Sequence, residues 1–421
     1  MTNIQSTEPY KGTRDFYPED MAIQRYIFES WAKTAESFGF ERYDASLLEP
    51  ADLYRSKTSD EIVNEQTYTF TDRGEREVTL RPEMTPTVAR MVAARSRELS
   101  FPTRWYAIPN LFRYERPQRG RLREHWQLNC DLFGVTDISA DVEMIALAHK
   151  LLTNFGATPD MFKIRINDRE LMKQWYAYTF HLTGDAIKAV TRIVDRKNKM
   201  SETEFMVLLA AVVPDTTTLM NGLKATNPQS LGYETSLTRI LEALKELGIT
   251  NVVFDASLAR GFDYYTGTVF EIFDTSSENN RSIIGGGRYD NLTKLFGGDA
   301  ISGIGFGLGD VVMRDFLETH KLLPKDIHVT APTLIVIPTS ATLNIEGEKI
   351  AQQFRAKNIR TAVDLSDKKL AKKISGASDA SARYVIVLGE NELTCKTYTI
   401  KELATKTEHT GTVAELLKHL S

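Results

Sequence analysis

The chain has 421 residues, 42% of them hydrophobic and 26% charged, with a formal net charge of −4. That length supports two or three domains with a substantial core, and the composition is that of an ordinary soluble globular protein. A charge this close to balance excludes a whole-protein basic footprint for nucleic acid, so any such contact has to come from local patches.

Two cysteines, Cys130 and Cys395, lie far apart with no CxxC pair. This argues against a disulfide framework or structural zinc site and fits a reducing cytoplasm. The seven histidines show no metal-ligand spacing, so no protein metal site is expected. The longest apolar stretch, Phe205 to Val213, is too short to span a bilayer, and the N-terminus has no signal pattern. The expectation is a cytoplasmic protein that meets no membrane.

In chain order, Asp20 to Phe38 reads as a helix, with Asp20 as its N-cap and Gly39 as its stop. Ile23, Tyr26, Ile27, Trp31 and Ala35 share one face of it. Thr67 to Thr71, Glu77 to Leu80 and Thr103 to Pro109 read as strands. Asn110 to Glu115 and Glu124 to Phe133 read as a longer strand pair around the polar loop Arg116 to Arg123. A helix over Ala140 to Phe155 and a strand over Phe162 to Ile166 follow.

From Asp168 to about Leu247 the texture changes to nearly continuous amphipathic helix, over Lys173–Thr179, Asp185–Asp195, Ser201–Val212 and Tyr233–Leu247. This block reads as a helical insertion, at about 168–247, into strand-rich material. Strand signals return from Val252 to about Asp290, before the Gly-rich run Gly303 to Gly309 and a helix starting near Asp310.

Polar and proline residues cluster between Pro324 and Pro332, which places a boundary there. Beyond it, strands at Thr333–Ile337, Arg360–Val363, Tyr384–Leu388 and Thr397–Ile400 alternate with helices at Ile345–Lys357, Lys369–Ala377 and Val413–Leu420. The expected organisation is a first domain over 1–325 and a small α/β domain with a partly parallel sheet over 331–421.

Two segments carry the chemistry. Leu258 to Glu271 sets Arg260, Asp263, Tyr264 and Tyr265 between a Gly-bounded turn and the strand-like run Thr268–Phe273. On an extended segment the two neighbouring tyrosines point to opposite faces. With a guanidinium beside them they suit a planar polar ligand next to an anion, though an aromatic core strand is the alternative.

Phe112 to Gly134 holds Arg113, Arg116, Arg119, Arg121 and Arg123 with Glu115 and Glu124. On a strand, Arg113 and Glu115 share one face, as do Gln127, Asn129 and Asp131 on the return strand. Arginines on such a hairpin suit a polyphosphate, because guanidinium forks hold phosphate oxygens bidentately. A solvated charged hairpin is the alternative.

Together these segments bring in a resemblance. Phe112–Glu115 resembles the motif 2 arginine strand of class II aminoacyl-tRNA synthetases. Leu258–Glu271 and Gly286-Gly-Arg-Tyr-Asp290 resemble the two peptides peculiar to the histidyl-tRNA synthetase family. Lys11-Gly-Thr-Arg-Asp-Phe-Tyr-Pro18 is similar to that family's N-terminal entry, and Leu80-Arg-Pro-Glu-Met-Thr85 to its substrate loop. Leu48-Glu-Pro50 is similar to the dimer-forming motif 1. The resemblance spans nearly the whole chain. It implies an α/β (α+β) fold: a class II catalytic domain with an antiparallel sheet and helical insertion, then an anticodon-binding α/β domain.

The resemblance also implies roles. Arg113 and Arg260 become catalytic residues on opposite sides of the ATP α-phosphate, both also facing histidine. Glu115 takes the adenine or ribose end of ATP and Arg121 its γ-phosphate. Glu83, Met84, Thr85 and Gln127 line the α-amino end of histidine, while Asp131, Tyr264 and Tyr265 line its imidazole. ATP, Mg²⁺, histidine, a histidine-accepting tRNA and a second copy of the chain are the implied substrates and partners.

There are departures from the family pattern. The motif 3 arginine position falls on Val312, with Arg314 two residues on and pointing elsewhere if Asp310 onward is helical. Asp131 stands where many bacterial relatives have Glu. The glycines of Gly303–Gly309 do not form a dinucleotide fingerprint and read as sites of close backbone approach to ligand. His125 reads as a surface or stacking residue. Lys368, Lys369, Lys372 and Lys373 either touch tRNA phosphates or form a solvated helix face.

Three activities fit the sequence to different degrees: the ligase, a non-catalytic histidine-sensing regulatory paralogue, and a nucleotide-dependent RNA-binding module. Retention of Arg113, Arg260 and about 90 residues of C-terminal domain favours the ligase; only Val312 favours the paralogue.

Overall fold

The computed structural model describes residues 6–55, 66–197, 200–233, 235–260, 264–325, 327 and 331–420. Asp263 lies outside them. Contacts divide the chain into two units, one of residues 1–16 and 23–325, the other of residues 17–22 and 326–421.

Helix α1 runs Pro18–Ser37. Proline suits a first turn because its missing N–H would have no intrahelical partner there. Asp20 therefore lies inside that turn and does not cap the helix. Ile27, Trp31 and Ala35 are buried as the spacing required, and Gly39 ends the helix at φ +79°.

Then follow β1 (Glu41–Arg42), β2 (Leu48–Pro50), α2 (Asp52–Arg55), β3 (Tyr68–Thr71), β4 (Glu77–Leu80) and α3 (Thr85–Ala94). Next come β5 (Thr103–Ala107), β6 (Asn110–Phe112), β7 (Glu124–Phe133), α4 (Ser139–Thr153) and β8 (Phe162–Asp168). The helical stretch holds α5 (Arg169–Phe180), α6 (Gly184–Asp195), α7 (Glu202–Ala210), α8 (Thr216–Gly222) and α9 (Ser236–Glu246). The polar α8, capped by Asp215, has too weak an apolar period to be read from sequence. The unit closes with β9 (Val252–Phe254), β10 (Thr268–Asp274), β11 (Ser282–Arg288), β12 (Gly303–Gly309) and α10 (Asp310–Thr319).

Among the described residues, nine strands form one mixed sheet in the order β1-β5-β7-β12-β11-β10-β8-β9, with β6 paired onto β7. The central pairings are antiparallel, and the β1–β5 and β8–β9 pairs at the two ends are parallel. Strands β2, β4 and β3 make a separate small antiparallel sheet.

The two faces of the large sheet differ sharply. Leu128, Cys130, Leu132, Ile304, Phe306, Leu308, Phe270 and Ile272 enter the main core with Trp31, Met144 and Phe316. Full burial of each large apolar side chain contributes about 1.5–3 kcal/mol. By strand alternation the opposite face carries Gln127, Asn129 and Asp131 on β7, then glycines on β12 and β11. Gly303–Gly309 is thus a strand: every second residue is apolar and core-facing, and packing overrides the weak strand preference of glycine.

The second unit contains β13 (Leu334–Pro338), α11 (Asn344–Arg355), β14 (Thr361–Val363), α12 (Leu370–Asp379) and β15 (Tyr384–Leu388). It continues with α13 (Glu390–Cys395), β16 (Tyr398–Glu402), β17 (Glu408–Gly411) and α14 (Val413–Leu420). Its sheet order is β14-β13-β15-β16-β17, parallel across the first three strands and antiparallel beyond. Leu334, Val336, Phe354, Ile386, Leu388 and Leu416 form its core.

Candidate active site

The hairpin from β6 to β7 is where the site begins. Its ladder runs from Asn110↔Trp126 to Phe112↔Glu124, and Arg113 N–H adds one more bond to the Arg123 carbonyl at 2.9 Å. There the strand ends. Tyr114 N–H turns to the Gln66 carbonyl, and Glu115 N–H bonds back to the Arg113 carbonyl, both at 2.7 Å. An i to i+2 bond is a γ-turn, so Arg113 and Glu115 do not share a strand face, contrary to the period-2 reading.

Arg113 Nε donates to the Pro82 carbonyl at 2.8 Å, which ties the hairpin to the Arg81–Thr85 loop. Glu115, buried, is held by Arg121. The tip is a tight turn in which Gln118 and Arg121 exchange backbone bonds at 2.9 Å, with Gly120 at φ +71° in its third position. Type II turns reserve that position for glycine. The Lys11–Pro18 segment clamps the hairpin base: the Gly12 carbonyl accepts from Arg123 N–H at 2.7 Å, and Arg14 pairs with Asp310 at 2.7 Å.

His125 is half-buried on β7, not a surface residue. Burial, then the charges of Arg113, Arg14 and Arg121, push its pKa down to about 3, so the ring is neutral at physiological pH.

The floor beside the hairpin is bare backbone. Across the sheet Asp131 aligns with Gly305 and Gly287, and Asn129 with Gly307 and Gly285. A Cβ on Gly305 would overlap Asp131, one on Gly285 would overlap Arg260, and one on Gly307 would come 2.6 Å from Gln127. One on Gly287 would come 2.8 Å from the Tyr265 ring. These glycines therefore let the side chains of the pocket lie flat on the sheet, a more immediate reason for them than close approach to a ligand.

On this floor most of the expected residues converge. Tyr264 donates its hydroxyl to Glu83 Oε2 at 2.9 Å, and Thr85, at the start of α3, also bonds it. Tyr264 and Tyr265 sit in the turn before β10 with ring centroids 4.8 Å apart. They line one pocket together and do not point to opposite faces, because the extended backbone starts only at Thr268. The Arg260 guanidinium lies 5.6 Å from the Tyr265 ring centroid and pairs with Glu271 at 2.9 Å. Burial pushes the pKa of Arg113 down, opposed by Glu83 and Tyr264, while the like charge of Arg260 adds to the push. Met84 is fully buried against Arg81.

At the far end, Tyr289 donates to Asp131 Oδ1, and its ring meets Tyr264 edge-on at 5.9 Å. The other oxygen, Oδ2, is buried and has no hydrogen-bond partner among the described residues. Burial raises the pKa of Asp131 to about 7, partly countered by the Tyr289 hydroxyl. Tyr289, Glu271 and Arg169, which donates to the Arg260 carbonyl, carried no site assignment from sequence. Tyr289 was within reach, since it sits inside the quoted Gly286–Asp290 peptide. Its neighbours are structural: Arg288 pairs with buried Asp141 on α4, and Asp290 accepts from Thr266 at 2.9 Å.

Val312, in the first turn of α10, carries no charge to this site, and Arg314 pairs with Glu318 at 2.8 Å on the same helix.

An arginine-bearing hairpin beside a glycine-floored pocket on a mostly antiparallel sheet is the catalytic architecture of class II aminoacyl-tRNA synthetases. The solved apo histidyl-tRNA synthetase of S. aureus shares the fold, with a TM-score of 0.75 at 24% identity over 99% of each chain. The family model for histidyl-tRNA synthetase matches residues 12–309, and that for the anticodon binding domain matches residues 333–421. The histidine–tRNA ligase of Leptospira biflexa is 42% identical over 431 residues, covering 99% of this chain and 97% of its own. That of Thermoplasma volcanium is 38% identical over 435 residues, 98% of each. The chain belongs to the histidyl-tRNA synthetase family.

Proposed function

We infer that the chain is a histidine–tRNA ligase, joining histidine to AMP with release of pyrophosphate and then passing the histidyl group to the 3′ end of its tRNA. The observation that carries this is the convergence of Arg113 and Arg260 on one buried pocket, where Arg113 feels Arg260, Glu83 and Tyr264.

In this reading the histidine carboxylate, already ionised, attacks the α-phosphorus. One P–O bond forms, the bond to pyrophosphate breaks, and no general base is needed. Charge grows on the non-bridging oxygens, where Arg113 and Arg260 stabilise it from fixed positions. Glu83, Thr85 and Gln127 take the α-ammonium group, with Met84 backing the loop. Asp131 and Tyr265 read the imidazole, Tyr264 lines the same pocket, and Asp131 Oδ2 is the buried acceptor left open for a ring N–H. A pocket with polar partners for both ring nitrogens rejects apolar isosteres, because they leave those partners unpaired.

Glu115 takes the adenine or ribose end of ATP and Arg121 the γ-phosphate, so nucleotide entry exchanges the Arg121–Glu115 pair for new partners. Magnesium belongs to the nucleotide. A magnesium ion bound with ATP would keep most of its waters and take phosphate oxygens as its other ligands, as hard cations at nucleotides do. When bound there, the ion would neutralise charge on the β- and γ-phosphates.

The second unit binds the anticodon end of the tRNA, whose terminal ribose hydroxyl attacks the adenylate carbonyl and expels AMP. The regulatory alternative loses ground because both arginines are held in the pocket and the anticodon module is present. Around motif 1, β2 is an edge strand with Leu48 41% exposed, which fits a two-fold homodimer contact. Among the described residues no helix is long and apolar enough to cross a membrane; we place the enzyme in the cytoplasm. Transfer of labelled histidine to bulk tRNA tests the reading. A folded protein that charges no tRNA with histidine contradicts it.

A further inference from the structure

The hairpin tip poses a charge problem. ATP carries most of its negative charge at the β- and γ-phosphates, yet the first turn of α10 offers Val312 there. Most guanidiniums around the tip are already engaged: Arg121 with Glu115, Arg119 with Asn279 at 3.1 Å, Arg14 with Asp310, and Arg314 with Glu318, while Arg116 is exposed to solvent.

Arg281 is placed differently. It lies just before β11, half-buried, and packs its stem under the turn at Gly120. A Cβ built on Gly120 would stand 3.2 Å from Arg281 Cγ and 3.5 Å from Val312 Cγ2. Two side chains from different elements therefore flank one point beneath the turn, next to Arg121. The Arg281 guanidinium has no hydrogen bond or ion pair among the described residues, whereas its neighbours do.

We propose that Arg281 binds the ATP γ-phosphate, supplying from the β10–β11 loop the cation that the first turn of α10 lacks. This rests on the ligase reading only in taking ATP as the substrate. A guanidinium there holds two phosphate oxygens through its fork. Valine at 312 is its complement: an arginine on α10 would set two like charges against the same point, each disfavouring the other. Gly120, at φ +71°, has no side chain to separate the turn from Arg281 and Val312, so Arg121 and Arg281 would meet the same end of the nucleotide.

The test uses full-length protein and four forms: wild type, Arg281→Gln, Val312→Arg, and the two together. Glutamine keeps the stem that packs beneath Gly120 and removes the charge. Histidine-dependent pyrophosphate exchange is measured along with calorimetric binding of ATP and of AMP, which has no γ-phosphate. Arg281→Gln is expected to raise the ATP KM about 10- to 100-fold, as for loss of a hydrogen bond to a charged group. AMP affinity and histidine KM should hold. Val312→Arg added to Arg281→Gln should recover most of the loss. Equal weakening of ATP and AMP, an unchanged ATP KM, or no recovery in the double variant overturns the proposal. A wild type without exchange defeats the ligase reading instead, and the ATP-versus-AMP comparison still decides the role of Arg281.

Discussion

Tyr289 donates its hydroxyl to one oxygen of Asp131, while the other oxygen is buried and has no hydrogen-bond partner among the described residues. The shorter acid is thereby held by the fourth residue of the Gly286–Asp290 peptide. If Asp131 reads the imidazole, Tyr289 positions it. Tyr289→Phe is expected to raise the histidine KM about 10-fold, with the ATP KM unchanged and kcat little affected. Equal changes in both KM values would identify Tyr289 as a packing residue.

Asp131 itself gives a pH signature. Its folded pKa of about 7 lies above the ordinary carboxyl value of 3.8, so between these limits the folded state holds the extra proton. Stability from this group is full below the lower value and is lost as pH rises through the upper one. Asp131→Asn keeps an acceptor for Tyr289 and removes the buried charge. It should match wild type near pH 4 and be more stable by about 1–3 kcal/mol at pH 8. Denaturant melts across that range check this; a stability difference that does not grow with pH contradicts it.

The same substitution should cost binding. With Asp131 ionised the open oxygen accepts from a ring N–H, so histidine KM should fall as pH rises through about 7. Histidine's own titration contributes in the same range and remains in Asp131→Asn, so the difference between the two profiles isolates the carboxylate. Tyr265→Phe should also weaken histidine far more than ATP. Parallel profiles for wild type and Asp131→Asn would assign Asp131 a structural role only.

How much of this was legible in sequence depends on what sets each feature. β4, β15 and α14 fall where their own apolar period and end signals put them. Arg113 and Glu115 read as strand neighbours because period-2 alternation carries on until something interrupts it. The interruption is Gln66, 48 positions before Tyr114, whose carbonyl draws the backbone away. Tyr264 and Tyr265 escaped the alternation for a similar reason: the strand they precede is fixed by its partners β8 and β11, not by the tyrosines. β12 was hidden because four glycines mask a strand whose remaining residues, Ile304, Phe306 and Leu308, all face the core. His125 reads as a surface or stacking residue, and only the fold places it near the charges of Arg113, Arg14 and Arg121.

Arg260 is tied to Glu271 and packed on Tyr265, so its removal has two consequences. Arg260→Ala should lower single-turnover adenylate formation about 10²–10³-fold while tRNA affinity holds. Arg260→Lys should recover little, since an ammonium cannot reproduce the planar fork. Glu271, left without its cation, should also lower stability; Arg260→Ala/Glu271→Gln should restore the melting temperature and not the rate. If the double variant recovers adenylation, the loss came from structure and not from charge at the α-phosphate.

Every residue assigned to adenylation precedes Lys325, and the anticodon module matches residues 333–421. A chain ending near Lys325, where it folds and dimerises, should keep histidine-dependent exchange and charge tRNA poorly. Light scattering on the full chain should give twice 47.5 kDa. A stable mass of one chain would remove the motif 1 interface from the account.

The central claim is that this pocket activates histidine and no other amino acid. ATP–pyrophosphate exchange with each of the twenty amino acids, on folded full-length protein, tests it most directly. Histidine alone should stimulate exchange, and Asp131→Asn should weaken that response through KM. No stimulation by histidine, or equal stimulation by several amino acids, would contradict the account.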